Sequence, residues 1–64
     1  MALMALDRRD TTMYLLIDGM TLTDTMYRSI SDAQLALAAL EAGVIIRIYG
    51  NGERETIARK ARAA

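Results

Sequence analysis

Residues Ser31 to Gly43 read SDAQLALAALEAG, and this stretch decides the fold because its two ends and its interior all spell helix. Ser31 and Gln34 have the spacing of a capping box, in which each side chain takes up a backbone N–H that the first turn leaves without a partner. Ile30 and Leu35 flank the box as a hydrophobic staple, and Asp32 puts negative charge at the positive end of the helix dipole. Gly43 is suited to the left-handed conformation that closes the other end. At about 100° per residue, Leu35 and Leu37 point to nearly opposite sides with Leu40 between them, while Gln34 and Glu41 form the polar stripe. A helix lying on a sheet needs one apolar stripe. This one is apolar or alanine around most of its circumference, so a second contact beyond its own sheet is expected, with Leu37 as a candidate interface residue.

Working outward, Val44 to Tyr49 (VIIRIY) is the strongest strand signal in the chain. Asn51-Gly52 follows, the dipeptide most favoured for a type I′ hairpin turn. That turn pairs Ile46 with Ile57 and Tyr49 with Arg54, with a return strand over about Glu53 to Ala58. A helix capped by Asn51 competes for the same segment, with Glu53 and Glu55 in its first turn and Arg59, Lys60 and Arg62 in its last, the order the dipole prefers. The clear strand before Asn-Gly favours the hairpin.

Before the helix, Thr12 to Ile17 (TMYLLI) is rich in strand-favouring residues and ends at the turn signal Asp18-Gly19. Thr21 to Ser29 (TLTDTMYRS) reads as a second, more exposed strand. It joins the first by a tight hairpin at Asp18-Gly19 or by a longer loop that leaves Thr25 to Ser29 paired. The predicted fold is α+β: a small single domain in the order β-β-α-β-β, one helix packed on a mainly antiparallel sheet. Residues 1–10 are expected to be a mobile N-terminal arm, 11–59 the domain, and 60–64 a frayed basic tail.

The chain has 64 residues, eight basic and eight acidic, with no cysteine and no histidine. A chain of this size buries only roughly 60% of its unfolded surface. Without disulfides or imidazole ligands, association is the remaining common support for so small a core. Cancelling charges remove any global field toward nucleic acid or anionic lipid. Locally the balance is −4 from Asp10 to Gly43 and +3 from Val44 onward, a polarity that suits head-to-tail pairing. No stretch is long enough to span a membrane or to act as a signal peptide, so a cytoplasmic protein is expected.

If Met13, Leu15, Val44, Ile46 and Ile48 face the helix, then Tyr14, Leu16, Ile45, Arg47 and Tyr49 face away, and Tyr27 joins them. This tyrosine- and arginine-bearing face is the candidate interface, since both residue types are enriched at binding hot spots. The same face is the platform for the alternative reading, weak single-stranded nucleic-acid binding by stacking. The acids Asp18, Asp24, Asp32 and Glu41 form a candidate acidic surface that would mimic nucleic acid if they cluster.

Catalysis has little foundation. With no histidine or cysteine, a base or nucleophile has to come from carboxylate, lysine, serine or threonine in an unusual environment. Asp18 and Asp24 beside glycine and threonine read as turn formers. Gly50 and Gly52 around Asn51 lack the spacing, lysine and following helix of a phosphate loop. No catalytic residue, cofactor or metal site is predicted. The expected function is a non-enzymatic interaction module, self-associating as a dimer and bound to a protein partner. Its size fits an accessory or inhibitor protein of the kind phages and mobile elements encode against host complexes.

Overall fold

The computed structural model describes residues 12–61. The elements are β1 (Met13–Asp18), β2 (Asp24–Tyr27), α1 (Ile30–Ala38), β3 (Gly43–Ile48) and β4 (Arg54–Lys60), the α+β order expected. The four strands form one sheet in the order β2-β1-β3-β4, antiparallel at every pairing. β2 and β3 therefore run the same way on either side of β1, and the connection carrying α1 crosses over one face. Among the described residues no helix is long and apolar enough to cross a membrane. The predicted N-terminal arm lies outside the described residues, and the predicted tail begins inside β4, at Lys60.

The helix is capped by Ser29, not Ser31. The Ser29 hydroxyl accepts from the Ser31 and Asp32 amides at 3.2 and 3.5 Å, and its extended backbone (φ −114°, ψ 133°) is that of an N-cap. Starting two residues earlier places Ala33 and Leu37, one helical repeat apart, on the buried side. The helix stops at Ala38, well short of Gly43. Its last turn tightens through amides of Ala39 and Leu40 bonding the carbonyls of Ala36 and Leu37. The Lys60 Nζ of β4 donates to the Ala38 carbonyl at 3.0 Å, placing a cation at the negative end of the dipole.

Gly43 is the first residue of β3 and not a left-handed helix terminus. A Cβ there would stand 2.9 Å from the Ile17 carbonyl oxygen and 3.0 Å from Leu37 Cδ1. Glycine is required because sheet backbone and helix side chain both close on this point.

The β3–β4 turn also differs from the expected two-residue type. The Tyr49 amide bonds the Glu53 carbonyl and the Gly52 amide bonds the Tyr49 carbonyl, so three residues form the loop and Gly52 takes φ +93°. Register beside the loop is Ile48–Arg54, Arg47–Glu55 and Ile46–Thr56, one residue away from the predicted pairing of Ile46 with Ile57. A bulge then leaves Ile57 as the extra residue, and Ile45–Ala58 returns to the predicted alignment. The competing helix over this segment does not form.

Of the two predicted links between β1 and β2 the longer one forms, but the paired segment is Asp24–Tyr27 and not Thr25 to Ser29, because Ser29 is taken up as the helix cap. Residues 19–23 form the loop, closed by the Asp18 amide on the Thr23 carbonyl at 2.9 Å. The Asp18 carboxylate accepts from the Met20 and Thr21 amides, the turn-forming role read for it. Leu22 holds φ 60° and is 79% exposed.

The buried core consists of Leu16, Ala33, Leu37 and Ile45, with Tyr14, Tyr27, Ala36, Leu40, Ile57 and Ala58 packed around it. This corrects the assignment of faces. The helix covers the side bearing Leu16 and Ile45, and Met13, Leu15, Ile17, Val44, Ile46 and Ile48 stand on the other. Both sides of β1 and β3 are apolar, so alternation alone does not choose between them. Space does: the covered side carries Gly43 and Ala58, where a helix can approach, and the opposite side carries Val44 and Arg59 at the paired positions.

Candidate functional site: two faces of one sheet

Registers assign every strand residue to a face. On the helix side, Tyr27, Tyr14, Arg47 and Glu55 form one row across all four strands, and Leu16, Ile45 and Ala58 form the next. On the other side the rows are Asp24-Ile17-Val44-Arg59, then Met26-Leu15-Ile46-Thr56, then Met13-Ile48-Arg54.

The helix runs from the end of β2 toward Lys60 at the end of β4, which leaves the corner of β3 and β4 near the hairpin turn uncovered. There Arg47 lies 5.8 Å from the Tyr14 ring centroid and 5.9 Å from that of Tyr49, at the outer limit of a cation–π contact. Arg47 Nη1 donates to the Tyr49 hydroxyl at 3.3 Å, and that hydroxyl donates to Glu55 Oε1 at 2.8 Å. The ion pair between Arg47 and Glu55 is 3.5 Å. Hydrogen bonding to Tyr49 raises the Arg47 pKa above its ordinary value, against a smaller opposing effect of desolvation. Thr12, Tyr14, Arg47 and Tyr49 line a shallow open cleft, while Arg47 Nε is enclosed and has no hydrogen-bond partner among the described residues.

The chemistry of this corner is that of a closed cross-strand network. Glu55 already compensates the Arg47 charge, so the corner offers phosphate little free cation, and phosphate neutralisation supplies most nucleic-acid affinity. Of the predicted interface residues, Leu16, Leu37 and Ile45 are core, not surface. Tyr14 and Tyr27 pack against that core, and only Arg47 and Tyr49 lie clear of the helix. Leu35, opposite Leu37, is 73% exposed. It stands alone among Ser31, Asp32, Gln34, Ala38 and Ala39, and scattered single apolar residues are ordinary on protein surfaces.

Three of the four predicted acidic positions fall at one end of the sheet, and Asp32 lies apart from them. Asp18 is tied into the β1–β2 loop, Asp24 begins β2 on the face away from the helix, Asp32 is in the first turn of α1, and Glu41 follows its far end. No group of three or more acidic side chains able to hold a metal ion occurs among the described residues. The crossover sets Asp32, in the first turn of α1, at the opposite end of the sheet from Asp18, Asp24 and Glu41, which gather near the Asp18–Gly43 pair.

What sequence reasoning missed is the face away from the helix. Met13, Leu15, Ile17, Val44, Ile46 and Ile48 are all partly exposed, and Met26 beside them is 48% exposed. Six-residue central strands rising about 3.3 Å per residue, with two strand widths of about 4.8 Å, make the apolar strip of β1 and β3 roughly 20 by 10 Å, extended onto β2 by Met26. The strip is contiguous and rimmed by Asp24, Arg54 and Arg59, a form that interaction surfaces take. Gly43 and Ala58 stand on the helix side and Val44 and Arg59 on the other, a difference in volume that becomes readable only once the bulged β3–β4 register is known. No known protein family, curated protein or solved structure matches this chain.

Proposed function

We propose that the protein is a non-enzymatic interaction module that binds a protein partner through the sheet face opposite its helix. The observation that carries this reading is the seven-residue apolar face Met13, Leu15, Ile17, Met26, Val44, Ile46 and Ile48, which no element of the described chain covers. Support comes also from the small core: four buried hydrophobic residues among those described leave burial of a second apolar surface as an accessible gain in stability. An accessory or inhibitory role of the kind expected from the sequence is compatible with such a module.

The test is chemical cross-linking and affinity capture from the source cell with the wild-type chain, Ile46→Lys and Leu35→Lys, each checked for unchanged circular dichroism. Capture of a protein, a second copy included, by wild type and Leu35→Lys but not by Ile46→Lys is the expected result. Capture insensitive to Ile46→Lys, or confined to single-stranded nucleic acid and abolished by salt, would overturn it.

A further inference from the structure

We infer that the occupant of the open sheet face is a second copy of this chain, stacked face to face about a two-fold axis parallel to the strands. This rests on the docking role proposed for that face and names its partner.

The edges of the sheet argue against growth by strand addition. β2 is only four residues long, and β4 carries Arg54, Glu55, Arg59 and Lys60 together with the bulge at Ile57. Short, charged and bulged strands are the devices that block edge-to-edge pairing. The face has no such protection.

Charge then selects the axis. On the open face Asp24 stands at the β2 edge and Arg59 at the β4 edge of the same row, with Ile17 and Val44 between them. Three strand spacings of about 4.8 Å separate the two by roughly 14 Å, so they do not pair within one molecule. Rotation about an axis along the strands lays β2 of one copy over β4 of the other and keeps each row over itself. Asp24 then meets the partner copy's Arg59 at both ends of the row, and Leu15 and Ile46 cross at the centre. Rotation about the perpendicular in-plane axis lays β4 over β4 and sets Arg54 against the second copy's Arg59, a repulsive contact made twice. Arg28 lies past the end of β2, outside the strand rows. Aligned sheets of this kind pack about 10 Å apart at roughly −30°.

The size of the face sets the strength. The whole open face, edge strands included, is about 400 Å² of projected area per copy, so a face-to-face pair covers roughly 800 Å² in total, below the standard size and in the class of weak, readily reversible contacts.

Sedimentation equilibrium from about 1 µM to 1 mM tests this with wild type, Asp24→Arg, Arg59→Asp and the double charge swap. Expected are a reversible wild-type dimer, roughly tenfold weaker dimerisation in each single variant, and recovery to near wild type in the double swap. A wild-type monomer throughout, or two weakened singles without recovery in the double, would overturn the arrangement. A monomer whose capture of a foreign protein is still lost with Ile46→Lys overturns self-pairing alone and leaves the docking role standing. A monomer with no face-dependent capture overturns both.

Discussion

At Gly43 a methyl group would stand 2.9 Å from the backbone oxygen of Ile17, and neighbouring strand backbone does not yield cheaply. Gly43→Ala is expected to destabilise the fold by about 2 kcal/mol, the usual scale of overpacking, with urea unfolding as the measurement. A loss below about 0.5 kcal/mol would show that the helix can lift from the sheet at no real cost. Leu22 presents the opposite case, a branched side chain at φ 60° that touches little and is 79% exposed. Leu22→Gly removes the left-handed penalty at the expense of chain entropy, so a net gain of about 0.5 kcal/mol is expected. Destabilisation in the same urea experiment would mean that the Leu22 side chain makes a contact the exposed loop does not display.

For the helix, the position of the cap is the sharpest point. Ser29 holds two amides, while Ser31 is an exposed residue inside the first turn. Ser29→Ala is expected to cost about 1 kcal/mol and Ser31→Ala less than about 0.5. The reverse order in thermal melts would restore the capping box read from the sequence. The two leucines separate in the same way: Leu37→Ala loses a side chain 8% exposed and packed on the sheet, at about 3 kcal/mol, and Leu35→Ala loses almost nothing. Equal losses would place Leu35 in a contact that the monomer does not contain. In the hairpin the three-residue turn and the bulge offset one another. The predicted alignment of Ile45 with Ala58 is met even though the pairing beside the turn is displaced by one.

For the molecule as a whole, the covered face supplies the core and the open face supplies the surplus of apolar surface. If that surplus is satisfied by a second copy, folding is linked to association by mass action, and the melting temperature rises with protein concentration. Calorimetry over a hundredfold range of concentration checks this, and a constant melting temperature counts against the dimer. The paired charges Asp24 and Arg59 sit at the rim, where salt screens them. Dimerisation is therefore expected to weaken modestly with ionic strength while the apolar centre holds.

The sequence by itself determined the first three strands and the helix and their order, because these depend on local chemistry: β-branched and aromatic runs at Thr12–Ile17 and Val44–Tyr49, and the alanine-rich helix; the last segment, open to strand or helix in the sequence, became a strand through its pairing with β3. It also made the charge polarity visible and showed the absence of histidine and cysteine chemistry. Only the tertiary structure decided which face of the sheet the helix covers. β1 and β3 are apolar on both sides, so hydrophobic alternation carries equal weight either way. The choice falls to volume: Leu37 and Leu40 of the helix side close on Gly43, and Ala33 and Ala58 belong to the packed cluster between the layers. That choice moved Leu16, Leu37 and Ile45 from a candidate interface into the core and left Leu15, Ile46 and their neighbours as the surface to be covered.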